Sequence, residues 1–339
     1  MKVIDSVRLR NFRCHDEFAL SCRKLTTLIV GENGSGKTSV LEALYLALRG
    51  KSFKGVDREI VRKGADFYRV ELKFNDGDMI SISWNGRNKE FSRGDKKMRR
   101  LPKQWKYPVI LFEPDDLHLV GTAPGRRREY FDRLFGQIDE SYSVVLGKYE
   151  KALKQRNDLL RNEIATADNV FSWNVMLAKY GVELILRRRA VVERVNAEMT
   201  SVYREIAKND DSCSLLYQQK DLDEGQYLTV LVENLEKDQY LGYTSFGVHR
   251  DDYLFWFNNS LADGSASRGE IRSMMLALKF IEAKMVTEET GKAPVVLLDD
   301  IFSELDEKRQ RHLIENFKDY QMIVTSTAIP GKMRVDKRL

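Results

Sequence analysis

Gly31-Glu32-Asn33-Gly34-Ser35-Gly36-Lys37-Thr38 decides the fold, because this stretch satisfies the pattern G-x-x-x-x-G-K-[ST]. It follows the apolar run 25–30 and precedes residues 38–48, where apolar side chains recur at helical spacing. Between a strand and a helix, such a loop turns backbone N–H groups toward bound phosphates. These eight residues, here called the phosphate loop, are therefore predicted to bind ATP through Gly31, Glu32, Asn33, Gly34, Ser35, Gly36, Lys37 and Thr38.

A second apolar run, residues 295–298, ends in Asp299 and Asp300, here called the acidic pair. The carboxyl end of a buried strand is where a doubly wound sheet places its functional groups. Lys37 is expected to reach the β- and γ-phosphates, and Thr38 and Asp299 are expected to hold Mg²⁺. Asp300 is expected to polarise the attacking water. Two carboxylates at a strand end can also simply cap the next turn, and the phosphate loop is what favours the metal site.

Two further segments narrow the class of ATPase. Ser267-Arg268-Gly269-Glu270, here called the signature segment, precedes a helix upstream of the acidic strand, where ABC ATPases carry their signature motif. Ser267 and Gly269 are predicted to bind the γ-phosphate of ATP held by a second subunit. Serine before a helix is also a common N-cap. After the acidic pair, Ser303-Glu304-Leu305-Asp306 matches the D-loop of that class, and the order of these motifs indicates an ABC-type ATPase.

The chain as a whole is predicted to be α/β, an ABC-type ATPase head assembled from both chain ends with an inserted helical lobe. Strand patterns dominate the ends, and Asn75-Asp76-Gly77-Asp78 predicts a hairpin between residues 71–74 and 79–84. Helical periodicity fills residues 125–209. The predicted domains are residues 1–115, the head with the phosphate loop; 116–240, the helical lobe; and 241–339, the remainder of the head.

Composition points to a cytoplasmic protein without a membrane partner. The 339 residues contain three cysteines with no C-x-x-C pair, which fits a reducing compartment. No apolar run approaches the length of a membrane span, and the first residues lack the apolar core of a leader peptide. The net charge of +5 only mildly favours a polyanionic partner.

Positive charge is concentrated in residues 93–106, here called the basic segment, which hold seven Lys or Arg and one acid. Trp105 and Tyr107 beside these charges suggest stacking on a base or sugar as well as phosphate contact. The segment is therefore predicted to bind DNA, although a charge run of this kind is as often a solvated loop. The predicted contacts are Lys96, Lys97, Arg99 and Arg100, with the triplets 126–128 and 187–189 as second candidates.

Several stretches resemble the RecF family of bacterial recombinational repair ATPases. They are Leu9-Arg10-Asn11-Phe12-Arg13, Gly50-Lys51-Ser52-Phe53-Lys54, Phe112-Glu113-Pro114-Asp115-Asp116-Leu117 and Gly247-Val248-His249-Arg250-Asp251-Asp252. The resemblance implies weak ATP hydrolysis, a homodimer that forms on ATP, and binding to double-stranded DNA with gaps or junctions. It also implies work with RecR in loading RecA, with RecO as a further candidate partner.

Three positions depart from the family pattern. Val248 stands where proline is usual, and Glu270 replaces a glutamine. Residues 325–327, here called the switch segment, supply no histidine at the switch position of ABC transporters, an absence that the family tolerates. Arg13 is a further candidate for the γ-phosphate, and His249 is interpreted as structural or allosteric.

Two other ATPase classes share parts of this motif set. An SMC-type head would carry a far longer coiled-coil arm between the phosphate loop and the signature segment. An ABC transporter subunit would carry a glutamine-containing loop and the switch histidine. A nuclease of the overcoming-lysogenisation-defect type would need a further acidic domain.

Overall fold

The computed structural model describes residues 2–22, 25–329 and 335–339. In chain order the strands are β1 (Ile4–Phe12), β2 (His15–Ser21), β3 (Thr26–Val30), β4 (Tyr68–Phe74), β5 (Met79–Trp84), β6 (Lys89–Arg93), β7 (Lys96–Met98), β8 (Val109–Phe112), β9 (Cys213–Gln218), β10 (Asp252–Phe257), β11 (Ser260–Leu261), β12 (Val295–Asp299), β13 (Gln321–Ser326) and β14 (Lys337–Arg338). The helices are α1 (Lys37–Arg49), α2 (Asp57–Ile60), α3 (Pro124–Ile138), α4 (Glu140–Arg161), α5 (Ala167–Ala207), α6 (Glu224–Glu233), α7 (Leu235–Leu241), α8 (Ala262–Ser265), α9 (Arg268–Thr290) and α10 (Glu307–Phe317). Short 3-10 helices cover Lys103–Trp105, Pro114–Gly121 and Ile301–Glu304. None of the helices in the described ranges has the length and apolarity needed to span a membrane.

The chain divides into two compact units, and unit 1 is built from both chain ends, Met1–Leu117 and Glu282–Leu339. Its parallel sheet has the order β14-β3-β13-β12-β8, so β12 and β13 lie between two strands from the first third of the chain. The prediction of a head assembled from both termini is confirmed. Strands β8, β12 and β13 consist wholly of buried residues, as expected for a sheet covered on both faces.

A second sheet of unit 1 is antiparallel, with the order β2-β1-β4-β5-β6-β7. Its strands β1 and β4 alternate buried and more exposed residues, which places one face on the core. The predicted hairpin is confirmed, since β4 pairs with β5 around residues 75–78. A single apolar cluster packs this sheet and the parallel sheet against α1, which carries the phosphate loop at its first turn.

Unit 2 covers His118–Ile281 and contains the predicted helical lobe, with α3, α4 and α5 spanning most of residues 124–207. It also holds a three-stranded antiparallel sheet in the order β11-β10-β9. This sheet explains why the division differs from the one drawn at 240/241 in the sequence. Residues 252–257 pair with residues 213–218, so residues 241–281 cluster with the lobe and the signature segment belongs to unit 2.

Candidate nucleotide site

The phosphate loop joins β3 to α1, and two of its glycines adopt backbone angles that L-residues with side chains rarely take. Gly34 has φ 82° and Gly36 has φ 95°, both left-handed. A Cβ on Gly36 would lie 2.6 Å from His15 Nε2 and closer still to Cys14 Sγ. Glycine is therefore required at position 36 by conformation and by space.

Lys37 begins α1 and is buried, yet its ammonium group is bound only to the loop's own backbone in the described residues. Its Nζ donates to the carbonyl oxygens of Gly31 at 2.7 Å and Glu32 at 2.8 Å. The hydroxyl oxygen of Ser35 is buried without a hydrogen-bond partner among the described residues. A loop that holds a buried cation and an unsatisfied hydroxyl is chemically suited to an anionic ligand.

The acidic pair lies at the carboxyl end of β12, next to the first turn of α1. The Thr38 hydroxyl donates to Asp299 Oδ1 at 2.8 Å, which brings together two residues separated by 261 positions in the chain. Asp299 is buried, and the same carboxylate oxygen accepts the Thr325 hydroxyl of β13 at 2.8 Å. One cleft of unit 1 is lined by Asn33, Lys37, Thr38, Asp299 and Asp300, so these residues of the phosphate loop and the acidic pair come together.

Asp300 has a different environment from Asp299. Its φ is 50°, a left-handed conformation that is uncommon outside glycine, asparagine and aspartate. The backbone N–H of Thr327 donates to Asp300 Oδ1 at 3.2 Å. Burial raises the pKa of Asp300 above the ordinary aspartate value, while the Thr327 hydrogen bond and the Lys37 charge lower it. A carboxylate with a raised pKa beside a phosphate site has the character of a general base.

Arg13 lines the same cleft, but its guanidinium is already engaged. It makes a bidentate pair with Glu42 of α1, with Nε–Oε2 at 2.8 Å and a second bond at 2.7 Å, and it donates to the Glu59 carbonyl oxygen at 2.9 Å. The Glu42 hydrogen bond raises the pKa of Arg13. Glu42 was not predicted to have a role, because a glutamate in an amphipathic helix is typical of its solvent-facing side.

The signature segment of unit 2 forms a reciprocal cap at the start of α9. The Ser267 N–H donates to Glu270 Oε2 at 2.6 Å, and the Glu270 N–H donates to Ser267 Oγ at 3.3 Å. This is a capping box, the structural role that a serine before a helix commonly plays. Glu270, the departure from the family's glutamine, therefore satisfies a backbone donor of its own helix end.

The basic segment proves to be strand rather than loop over part of its length. β7 is the edge of the antiparallel sheet, and Lys96, Lys97, Arg99 and Arg100 are all exposed. Lys97 lies 3.0 Å from Glu90. The suggestion that aromatic side chains beside these charges stack on nucleotides is wrong, because Trp105 and Tyr107 are buried in the core of unit 1.

The arginine triplets 126–128 and 187–189, the second candidates for DNA contact, each have their central arginine buried within unit 2. Arg127 is buried and pairs with Asp252 through two bonds, at 2.8 and 2.7 Å. Arg188 is 1% exposed and donates to Asp132 at 2.9 Å and to the Val248 carbonyl oxygen at 2.9 Å. The central arginine of each triplet therefore stabilises unit 2 internally.

His249 is held between two segments of unit 2, an environment that fits the structural alternative of the two roles predicted for it. Its ring nitrogens are 2.8 Å from the Tyr149 hydroxyl and 3.0 Å from the Thr244 carbonyl oxygen. Burial lowers the pKa of His249 to about 4, so the ring is neutral at neutral pH.

The chain is similar to one described protein family and to several known proteins and solved structures. A family model described as AAA domain matches residues 6–240. The DNA replication and repair protein RecF of Natranaerobius thermophilus is 34% identical over 347 residues, covering 95% of this chain and 90% of that protein. The structure described as the recombination mediator protein RecF-ATP in the RecFOR pathway is 26% identical with a TM-score of 0.86, covering 98% of this chain and 94% of that one.

A more distant likeness concerns the fold alone. An Smc head bound to the C-winged helix domain of ScpA has a TM-score of 0.54 at 16% identity, covering 96% of this chain and 89% of that one. The fold is thus the ABC-type head that the order of motifs predicts.

Proposed function

The chain belongs to the RecF family of DNA replication and repair proteins, and we propose that it is an ATP-dependent DNA-binding protein that dimerises when ATP is bound. Weak hydrolysis of ATP then releases the dimer. The single observation that carries this proposal is the hydrogen bond between Thr38 and Asp299, which joins the phosphate loop to the acidic pair in one cleft.

ATP fits the phosphate loop as the structure has it. Gly34 and Gly36 turn the backbone so that its N–H groups can surround a phosphate, and α1 adds the positive end of its dipole. The buried Ser35 hydroxyl offers a donor, and the Lys37 ammonium can exchange its two carbonyl partners for phosphate oxygens. In this proposal Lys37 stabilises negative charge on the β- and γ-phosphates during the reaction.

Mg²⁺ fits the oxygen donors beside that loop. Thr38 and Asp299 present a hydroxyl and a carboxylate 2.8 Å apart, and hard oxygen ligands of this kind are what Mg²⁺ prefers alongside substrate phosphates. When bound, the ion would neutralise phosphate charge. Asp300, at the other position of the acidic pair, is proposed to accept a proton from the attacking water.

Dimerisation is proposed to depend on Ser267 and Gly269 acting on ATP held by a second copy of the chain. The N-terminus of α9 is a site for anions in general, because its first N–H groups lack helical partners. Glu270 covers one donor there through its bond to Ser267, so a phosphate would have to displace or adjoin that carboxylate.

DNA is proposed to bind along the edge strand β7 and the residues that follow it. Lys96, Arg99 and Arg100 are exposed and have no ion pair among the described residues. Contacts of lysine and arginine with phosphate oxygens carry affinity without reading sequence, which suits a protein that recognises gaps or junctions in duplex DNA. RecR is the proposed protein partner in promoting RecA loading, with RecO as another candidate.

The proposal is tested by sedimentation of the wild-type chain with and without ATP. We expect an ATP-dependent dimer that is lost in Lys37→Met, because that variant cannot hold the nucleotide. Ser267→Arg and Ser267→Asp should both bind ATP as monomers. Aspartate preserves the N-cap of α9 but opposes a phosphate, so it separates a trans contact from loss of capping.

Ser201→Arg, the same change at an exposed position of α5, serves as the control and should dimerise normally. An unchanged ATP-induced dimer in both Ser267 variants would show that the signature segment does not act in trans.

A further inference from the structure

Thr325 lies on β13 directly beside the last residue of β12, since Asp299 and Thr325 are register partners in the parallel sheet. The side chain is fully buried. It belongs to residues 325–327, the segment in which ABC transporters carry a switch histidine and this chain carries none.

The Thr325 hydroxyl contacts both members of the acidic pair. It donates to Asp299 Oδ1 at 2.8 Å, a shorter and better hydrogen bond than the 3.3 Å approach to the Leu298 carbonyl oxygen. A hydroxyl can accept while it donates, and here it accepts the backbone N–H of Asp300 at 3.1 Å. The same N–H also lies 3.1 Å from the Thr325 carbonyl oxygen, so the backbone and side chain of Thr325 share the hold on Asp300. The hydroxyl orients the Asp299 carboxylate.

Asp299 Oδ1 thus receives two hydroxyls, one from Thr38 on α1 and one from Thr325 on β13. The Thr38 hydroxyl is itself a proposed metal ligand and must turn toward the ion when the ion binds. The Thr325 hydroxyl has no such second task. It can hold the carboxylate in one orientation throughout, which is how groups behind a metal ligand usually act.

We propose that Thr325 is a positioning residue whose hydroxyl sets the orientation of Asp299 for Mg²⁺. The inference rests on the proposed function, because it assigns the metal to Asp299. In this proposal a residue of the switch segment acts in the nucleotide site although the segment contains no histidine. The hydroxyl at position 325 instead contacts the Asp299 carboxylate and the backbone N–H of Asp300.

The test is an equilibrium titration of a fluorescent ATP analogue at increasing Mg²⁺ concentration. In Thr325→Val the hydroxyl is replaced by a methyl group of similar size. The Mg²⁺ concentration for half-maximal tight binding should rise about tenfold or more, as is typical when a partner of a metal ligand is removed. Binding of the analogue in EDTA should equal that of the wild type.

Two variants separate positioning from packing. Thr325→Ser keeps the hydroxyl and should restore the Mg²⁺ midpoint to within about twofold of wild type. Thr27→Val removes a buried hydroxyl from β3 of the same sheet and should leave the midpoint unchanged. Thermal melting of each variant reports the fold.

A Thr325→Val midpoint within about twofold of wild type overturns the inference. Should that variant fail to fold, Thr325→Ala, which also lacks the hydroxyl, takes its place with the same expected shift and the same overturning result. A folded Thr325→Ser variant with a tenfold shift also overturns the inference. A wild-type chain whose nucleotide binding ignores Mg²⁺ would instead overturn the proposed function itself, so the two failures are distinguishable.

Discussion

At the scale of single residues, the acidic pair shows how adjacent carboxylates acquire different tasks. Asp299 is buried, and its carboxylate accepts hydrogen bonds from two hydroxyls. Asp300 is half-buried, and its carboxylate accepts a hydrogen bond from a backbone N–H. We expect Asp300→Asn to keep Mg²⁺-dependent ATP binding and the ATP dimer but to lose about a hundredfold or more in hydrolysis. Asparagine tolerates the left-handed backbone at this position, so the change removes the base with little strain.

Asp299→Asn is the matched variant, and it should weaken Mg²⁺-dependent nucleotide binding itself. Equal loss of nucleotide binding in both variants would contradict the division of roles. A general base must be ionised, and burial raises the pKa of Asp300. Hydrolysis should therefore decline on acidification at a higher pH than an ordinary aspartate would give, and a rate-against-pH profile of Asp300→Asn should lack that decline.

At the scale of elements, the hairpin of β6 and β7 carries the proposed DNA contacts at a sheet edge. If Lys96, Lys97, Arg99 and Arg100 follow the phosphate backbone, each lost contact removes about 0.9 from the slope of log affinity against log salt. Changing all four to alanine should weaken binding to every sequence alike and flatten the slope by roughly two to four units. Fluorescence anisotropy over a salt series measures this.

Stability and ATP binding should barely change, since the four side chains are exposed. The control replaces four exposed basic residues of unit 2 and should keep the wild-type slope; these are Lys151, Lys179, Arg194 and Lys237. Equal slopes for the wild type and the fourfold alanine variant would show that the basic segment is a solvated surface and does not bind DNA.

Elements also show what sequence patterns can and cannot predict. Apolar runs predicted β3 and β12 closely, because buried parallel strands are apolar throughout. The edge strand β7 was missed, because its exposed lysines carry no alternation. The burial of Trp105 was missed for a related reason, because the order of residues 103–107 does not show that this side chain packs into the core. The motif 31–38 differs, since its residue pattern specifies the conformation of the loop.

At the scale of the molecule, the order of the parallel sheet makes unit 1 depend on both chain ends. β3 and β8 belong to residues 1–117, but β13 and β12 lie between them and come from residues 282–339. The acidic pair therefore comes next to the phosphate loop only when residues 282–339 have paired with the strands of residues 1–117. Pairing across so long a sequence separation carries a large entropy cost, and the buried apolar strands offset it.

This arrangement predicts different behaviour for two fragments. Residues 118–281 should fold alone, with a helical circular dichroism spectrum and one cooperative thermal transition, because the unit holds its own core and buried polar network. Within that network Arg156 pairs with Asp238 at 2.7 Å, both fully buried, so removing either partner should cost about 3–5 kcal/mol. Residues 1–117 alone should aggregate or remain unfolded, because β3 and β8 would each expose an apolar edge.

Joining residues 1–117 to 282–339 by a flexible linker restores every strand of that sheet and should recover ATP binding. A monomeric, cooperatively unfolding 1–117 fragment would show that the head does not need its second half to fold.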